Sequence, residues 1–186
     1  VCFIHVTLLP YIKAAGEVKT KPTQQSVAKL REIGIQPDII ICRTEADLDE
    51  DTRKKIAMFC NVERKNVVAF RDVAHTIYEC PLDLRRDKID RLVVDKIGLG
   101  HTPSPALEDW ERFVQRVIHP KHKVTIAVAG KYIELQDAYK SIYESLIHAG
   151  AHHDTKVRIV RVDTEAIEDH GAQSIIGDVD GILVPG

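Results

Sequence analysis

Four apolar residues in a row, Ile39, Ile40, Ile41 and Cys42, stand between two segments of helical periodicity. A run this short and continuous has no polar face, which suits a strand buried on both sides in a parallel sheet. Upstream, 2–9 is β-rich and 24–33 reads as a helix that Gly34 stops. Downstream, 49–60 reads as a second helix, with Leu48, Ile56, Met58 and Phe59 available to a core, and 66–70 as another short strand. Strand, helix, strand, helix, strand is the order of an α/β fold.

After Tyr78 the texture changes. An amphipathic helix is expected over 82–97, with Leu84, Ile89, Leu92, Val93 and Ile97 as its apolar set. Glycine and proline crowd 98–105, a linker composition. A short helix over 108–118, anchored by Trp110, Phe113 and Val117, follows. A second α/β series then begins: strand 124–129, helix 137–149, strand 156–162, helix 164–176 and strand 181–184. These patterns predict domains at 1–98 and 124–186, joined by a linker at 99–123 that carries the short helix. The chain opens in mid-strand without an initiator, so Val1 reads as a cut edge.

Composition narrows the function classes. A formal net charge of -2 excludes a broad basic footprint for nucleic acid. No apolar run approaches a membrane span, and the first ten residues lack a secretory signal pattern. Cys2, Cys42, Cys60 and Cys80 show no metal-site pairing, and each lies in or beside an apolar stretch. They read as buried free thiols of a reducing compartment, hence a cytoplasmic chain.

Basic chemistry must therefore be local, and it concentrates in Gly16-Glu17-Val18-Lys19-Thr20-Lys21-Pro22-Thr23-Gln24-Gln25. Pro22 biases Lys21 toward extended geometry, in which Lys19 and Lys21 would project from the same side. The helix that follows offers free N–H groups and a favourable dipole to a polyanion. A polyphosphate is the expected guest; a solvated basic loop is the plainer alternative.

The same segment carries a family resemblance. Val6-Thr7-Leu8-Leu9-Pro10-Tyr11 leads through it into Ile33-Gly34-Ile35-Gln36-Pro37-Asp38, and three later blocks keep order and spacing. These are Lys55-Ile56-Ala57-Met58-Phe59-Cys60-Asn61-Val62; Gly130-Lys131-Tyr132-Ile133-Glu134-Leu135 with Asp137-Ala138-Tyr139-Lys140-Ser141; and Gly181-Ile182-Leu183-Val184-Pro185-Gly186. The whole chain resembles a middle portion of the CTP synthases, which aminate UTP to CTP using ATP and ammonia from glutamine. The resemblance implies a Rossmann-like, P-loop-type synthetase domain, incomplete here, followed by the start of a flavodoxin-like class I glutamine amidotransferase domain.

By that resemblance, Lys19, Thr20, Lys21, Pro22, Thr23 and Gln24 hold the triphosphate of UTP or of the product CTP, and Lys55 lies near the pyrimidine nucleotide. Two ammonium groups suit phosphate as mobile point charges, and a glutamine adds an amide donor or acceptor. Arg71, Asp72 and Val73, at a strand end, are the expected hold on the adenine of ATP, largely through backbone groups. His75, where the family more often has a small polar residue, reads as a surface histidine. The family also implies magnesium, with its ligands and the phosphate loop upstream of Val1, GTP as an activator and a homotetramer.

The second α/β series resembles an amidotransferase, which needs a cysteine nucleophile. No cysteine follows Cys80, so no catalytic residue is assigned within the chain, and the polypeptide alone is expected to be inactive. Gly186 falls in the turn expected to edge the glutamine site. Gly130-Lys131 lacks the glycine and hydroxyl of a phosphate loop, and His152-His153 reads as a solvated turn. Two rivals stand beside this reading: another amidotransferase-coupled ligase, and a non-catalytic nucleotide-binding module for regulation or assembly.

Overall fold

The structure, a computed structural model, describes residues 1–100, 102–135 and 137–185. It divides into two compact units, Val1–Pro105 and Ala106–Gly186. No helix among the described residues is long and apolar enough to cross a membrane.

The first unit runs β1 (Ile4–Leu8), a two-stranded hairpin of β2 (Tyr11–Ile12) and β3 (Glu17–Val18), α1 (Lys21–Glu32), β4 (Ile39–Thr44) and α2 (Glu50–Cys60). It continues through β5 (Val67–Arg71), α3 (Cys80–Arg86) and α4 (Ile89–Ile97). β4 is the centre of a three-stranded parallel sheet, pairing Ile4 with Ile39 on one side and Ile40 with Val67 on the other. That is where a run without a polar face belongs. Ile40 and Cys42 enter a core with Leu9, Val27, Ile56 and Val67 beneath α1 and α2. Ile39 joins Val68 and Ile89 in a second core, with Leu84, Leu92 and Val93 packed against it. α2 starts where Asp49 caps it, its carboxylate accepting from Thr52 N (2.7 Å) and Thr52 Oγ1 (2.8 Å).

The helix expected over 82–97 is two helices. Its break falls at Asp87 and Lys88, and Lys88 takes φ +58°. At about 100° per residue, Leu84, Leu92, Ile89 and Val93 would span about 180° of a straight helix. Bending between α3 and α4 lets all four meet one face of the sheet.

The second unit comprises α5 (Glu108–Ile118), β6 (His122–Gly130), α6 (Lys140–His152), β7 (Thr155–Asp163), α7 (Thr164–His170), α8 (Ala172–Ile176) and β8 (Gly181–Leu183). Its sheet is parallel, in the order β7-β6-β8. Val128, Ile133, Tyr139 and Tyr143 form one core; Ala127, Ala129 and Val162 form the other, with Ile167, Ile175 and Ile176 against it. The helix expected over 164–176 is also divided. Gly171, at φ +85° and ψ 145°, ends α7 in a conformation that a side chain would oppose. Both Ile167 before the break and Ile175 after it thereby reach the same core.

Candidate functional site

Because β1, β4 and β5 run parallel, Leu8, Thr44 and Arg71 end at one edge of the sheet. Open α/β sheets take ligands beyond such carboxyl ends. A cleft of 350 Å³ lies there, lined by Leu8, Pro10, Tyr11, Arg43, Glu45 and Asp72 among others. A cavity of 460 Å³ flanks β5 and is lined in part by Arg53, Lys65, Phe70, Arg71 and Leu92.

The chain leaves β1 through Pro10, whose carbonyl accepts from Lys19 N at 2.8 Å and ties the base of the β2–β3 hairpin. Lys19 therefore stands just before α1. Its ammonium is hydrogen-bonded to the Glu17 carboxylate. Lys55, exposed on α2, also acts on Glu17. The Lys19 hydrogen bond and charge, with the Lys55 charge adding to them, hold the Glu17 carboxyl below its ordinary range. Residues distant in sequence thus share one electrostatic neighbourhood.

The geometry of the lysine pair differs from expectation. Lys21 is the first residue of α1 rather than an extended one, and Thr20 before it has φ −86° and ψ −18°. Proline is tolerated in a first helical turn because its missing N–H has no partner to lose there. That tolerance overrides the extended bias on the preceding residue. With Thr20 folded into the helical region, the alternation that would align Lys19 and Lys21 is absent. Both remain exposed beside a helix start that no side chain caps.

The other residues of the segment divide sharply. Thr20 and Thr23 are buried. Thr23 Oγ1 donates to Leu8 O at 3.3 Å and accepts from Thr7 Oγ1 at 3.5 Å, pinning α1 to β1. The Gln24 amide donates to Thr20 Oγ1 at 3.1 Å. Pro22 is exposed in the first turn. The exposed cationic side chains here are those of Lys19 and Lys21, with Lys55 exposed on α2.

At the neighbouring strand end, Arg71 pairs with Asp47 at 2.9 Å. Asp72 takes two hydrogen bonds from Arg43, at 2.5 and 3.1 Å. That guanidinium holds the Asp72 carboxyl low, and the carboxylate in turn raises Arg43. Both charged side chains are thus engaged, and Val73 beside them is half-buried. His75 is exposed; its N–H donates to Glu79 at 2.9 Å in a turn capped by Thr76. Arg43 and Glu17 were not singled out from sequence. Arg43 did carry a signal, since it is the first charge after the buried run of β4.

Cys42 and Cys60 are buried, whereas Cys2 and Cys80 are only partly so, and all four are free. Burial pushes the Cys42 thiol up to about 12, with Cys60 adding to the effect. Burial also raises Cys60 and Cys80. Thiolates are the reactive form, so none of these three is poised as a nucleophile.

In the second unit the strand ends carry few free charges. Lys131 faces Glu165 at 3.7 Å, and Asp163 caps α7 by accepting from Glu165 N at 3.0 Å. The His152 and His153 rings meet edge to face at 4.8 Å. Among the described residues no three His, Cys, Asp or Glu side chains gather as a metal-ligand set. Gly186, on which the glutamine-site expectation falls, lies outside the described residues.

The family described as CTP synthase N-terminus matches residues 1–99. That stretch contains the whole strand-end site of the first unit. The chain belongs to the CTP synthase family. It is 52% identical to a CTP synthase of Methanocaldococcus jannaschii over all of its own length, which is 35% of that relative. Identity to a CTP synthase of Syntrophus aciditrophicus is 52%, over 99% of this chain and 34% of the relative. For that of Bdellovibrio bacteriovorus it is 46%, over 98% and 34%. The chain thus spans about a third of the length of the curated CTP synthases it matches.

Proposed function

We infer that the chain is the part of a CTP synthase that joins the pyrimidine-nucleotide cradle to the start of the ammonia-producing domain. In this reading the parent enzyme is a carbon–nitrogen ligase of pyrimidine nucleotide synthesis. ATP phosphorylates the uracil 4-oxygen of UTP, and ammonia from glutamine displaces the phosphate. The first unit, with the domain taken as 1–98, holds the UTP or CTP triphosphate through Lys19, Lys21 and Lys55. The buried Thr20 and Thr23, with Pro22 and Gln24, set the start of α1 that the triphosphate meets. Arg71, Asp72 and Val73 border ATP. The segment 124–186 opens a glutamine amidotransferase domain, with Gly186 at the edge of its site and 99–123 as the connection.

What supports this reading is the placement of exposed Lys19 and Lys21 at the uncapped start of α1, which follows β1 and its hairpin, with the Lys55 charge felt at Glu17 beside them. Magnesium supplies charge neutralisation to the phosphates when bound, through ligands outside this chain. GTP activation, a homotetrameric assembly and a cytoplasmic setting belong to the same proposal. With no cysteine after Cys80, purified chain given glutamine, or UTP, ATP, magnesium and ammonium, is expected to form neither glutamate nor CTP.

The deciding experiment uses the full-length protein that carries this chain. Each lost charge-assisted hydrogen bond removes about 1.5–3 kcal/mol. A Lys19→Ala/Lys21→Ala double variant should therefore bind UTP about a hundredfold to ten-thousandfold more weakly by calorimetry, with its circular dichroism spectrum retained. Unchanged UTP affinity would remove the pair from the site.

A further inference from the structure

We propose that Glu17 is an internal anion seated where a ligand phosphate binds, so that a polyphosphate must displace it from Lys19. This rests on the reading of Lys19, Lys21 and Lys55 as the triphosphate site.

The hairpin holds Glu17 in that place. β3 pairs with β2 in a register that sets Glu17 opposite Ile12 and Val18 opposite Tyr11. The Lys19 N–H to Pro10 carbonyl bond then closes the same hairpin at its base. With the backbone tied on both sides, the Glu17 carboxylate reaches Lys19 and forms the ion pair, and the Lys55 charge acts on it from α2. The carboxylate is paired with Lys19, and Lys55 adds a smaller attraction.

The pair has little structural purpose. Its side chains are 49% and 55% exposed, and exposed ion pairs contribute about 0–1 kcal/mol. Such a pair opens readily. A carboxylate offers one negative charge, whereas a triphosphate offers several, with more acceptor oxygens for the same donors. The multivalent anion wins the exchange, and its affinity is reduced by the work of opening the pair and by the like charge left nearby. Glu17 thus sets how tightly the lysine cluster takes polyphosphates without touching the base or sugar.

The test compares E17Q with the unaltered full-length protein. Glutamine keeps the size of the side chain and removes its charge. UTP affinity, measured by calorimetry without ATP, should tighten about fivefold, the equivalent of an exposed ion pair at its upper worth. Uridine, which has no phosphate, should bind both proteins equally. Unchanged or weaker UTP binding by folded E17Q would overturn the proposal, as would an equal gain for uridine. The Lys19→Ala/Lys21→Ala protein separates the two levels. If it keeps wild-type UTP affinity, the lysine reading itself fails. If it loses affinity while E17Q gains none, only the role of Glu17 fails.

Discussion

At the carboxyl edge of its sheet the first unit sets out Lys19, Lys21, Arg43 and Arg71, with Glu17, Asp72 and Asp47 as counter-ions, and Lys55 is exposed on α2. At the corresponding edge of the second unit, Lys131 faces Glu165, and Asp163 is spent on a helix cap. The two sheets share their construction, three parallel strands with the first-laid pair joined through a helix. Their strand ends nevertheless suit different chemistry. Among the described residues of the first unit, Lys21 and Lys55 stand outside any ion pair while Lys19, Arg43 and Arg71 are paired; in the second unit Lys131 already faces Glu165. A parallel α/β core supplies a place for a ligand, and the loop residues decide which ligand.

Thiol chemistry offers the largest contrast, because every cysteine precedes the second unit. Cys42, with its thiol near 12, should react with a thiol reagent about a thousandfold more slowly at pH 8 than an ordinary cysteine. Partly exposed Cys2 and Cys80 should label first. Peptide mapping after timed alkylation checks the order, and early labelling of Cys42 in folded protein would contradict its burial.

Packing in the second unit gives the next effect. A Cβ on Gly150 would lie 2.4 Å from the Thr155 carbonyl oxygen. Backbone must shift to admit it, so Gly150→Ala should destabilise by about 1–3 kcal/mol despite the better helix propensity of alanine. Thermal unfolding followed by circular dichroism reads it. An equal or higher melting temperature would show that α6 and β7 approach less closely than the structure has them.

The lysine comparison itself is sharpened by two single changes in the full-length protein. Lys55→Ala should weaken UTP binding about fivefold, one partly screened charge near a polyanion. Lys131→Ala should leave it unchanged. Equal losses from both would erase the distinction between the two strand-end edges.

The smallest effect belongs to the Arg43–Asp72 pair. Asp72 titrates lower in the folded chain than its ordinary value of 3.8. Its contribution is therefore present above that ordinary value and lost as pH falls through the lowered one. Asp72→Asn should melt slightly below wild type at neutral pH, and the gap should close in acid. A gap that widens with acidification would reverse the sign.

Much of this molecule was legible in one dimension. The run Ile39 to Cys42 announces a central parallel strand because a stretch without a polar face has only one stable setting in a sheet buried on both sides. The helix expected over 49–60 was legible from its apolar spacing, whereas the capping of its first turn by Asp49 came from the structure. The lysine segment was legible because composition left no diffuse basic surface, so clustered charge stood out. These are short-range or whole-chain properties, and they do not depend on which elements meet.

Only the tertiary structure decided the rest. The segments 82–97 and 164–176 break because apolar residues spaced for no single helical face must reach one core, and burial outweighs helical continuity. Lys21 enters α1 although Pro22 follows it, since the first helical turn has no hydrogen bond for proline to remove. Thr23, a candidate ligand by sequence, faces inward because Leu8 O and Thr7 Oγ1 are there to meet its hydroxyl. The joint action of Lys19 and Lys55 on Glu17 arises because Val18 of β3 packs against the core that Ile56 and Ala57 of α2 enter. Electrostatic neighbourhood is a property of distance in space, and the 37 positions between Glu17 and Lys55 give no sign of it.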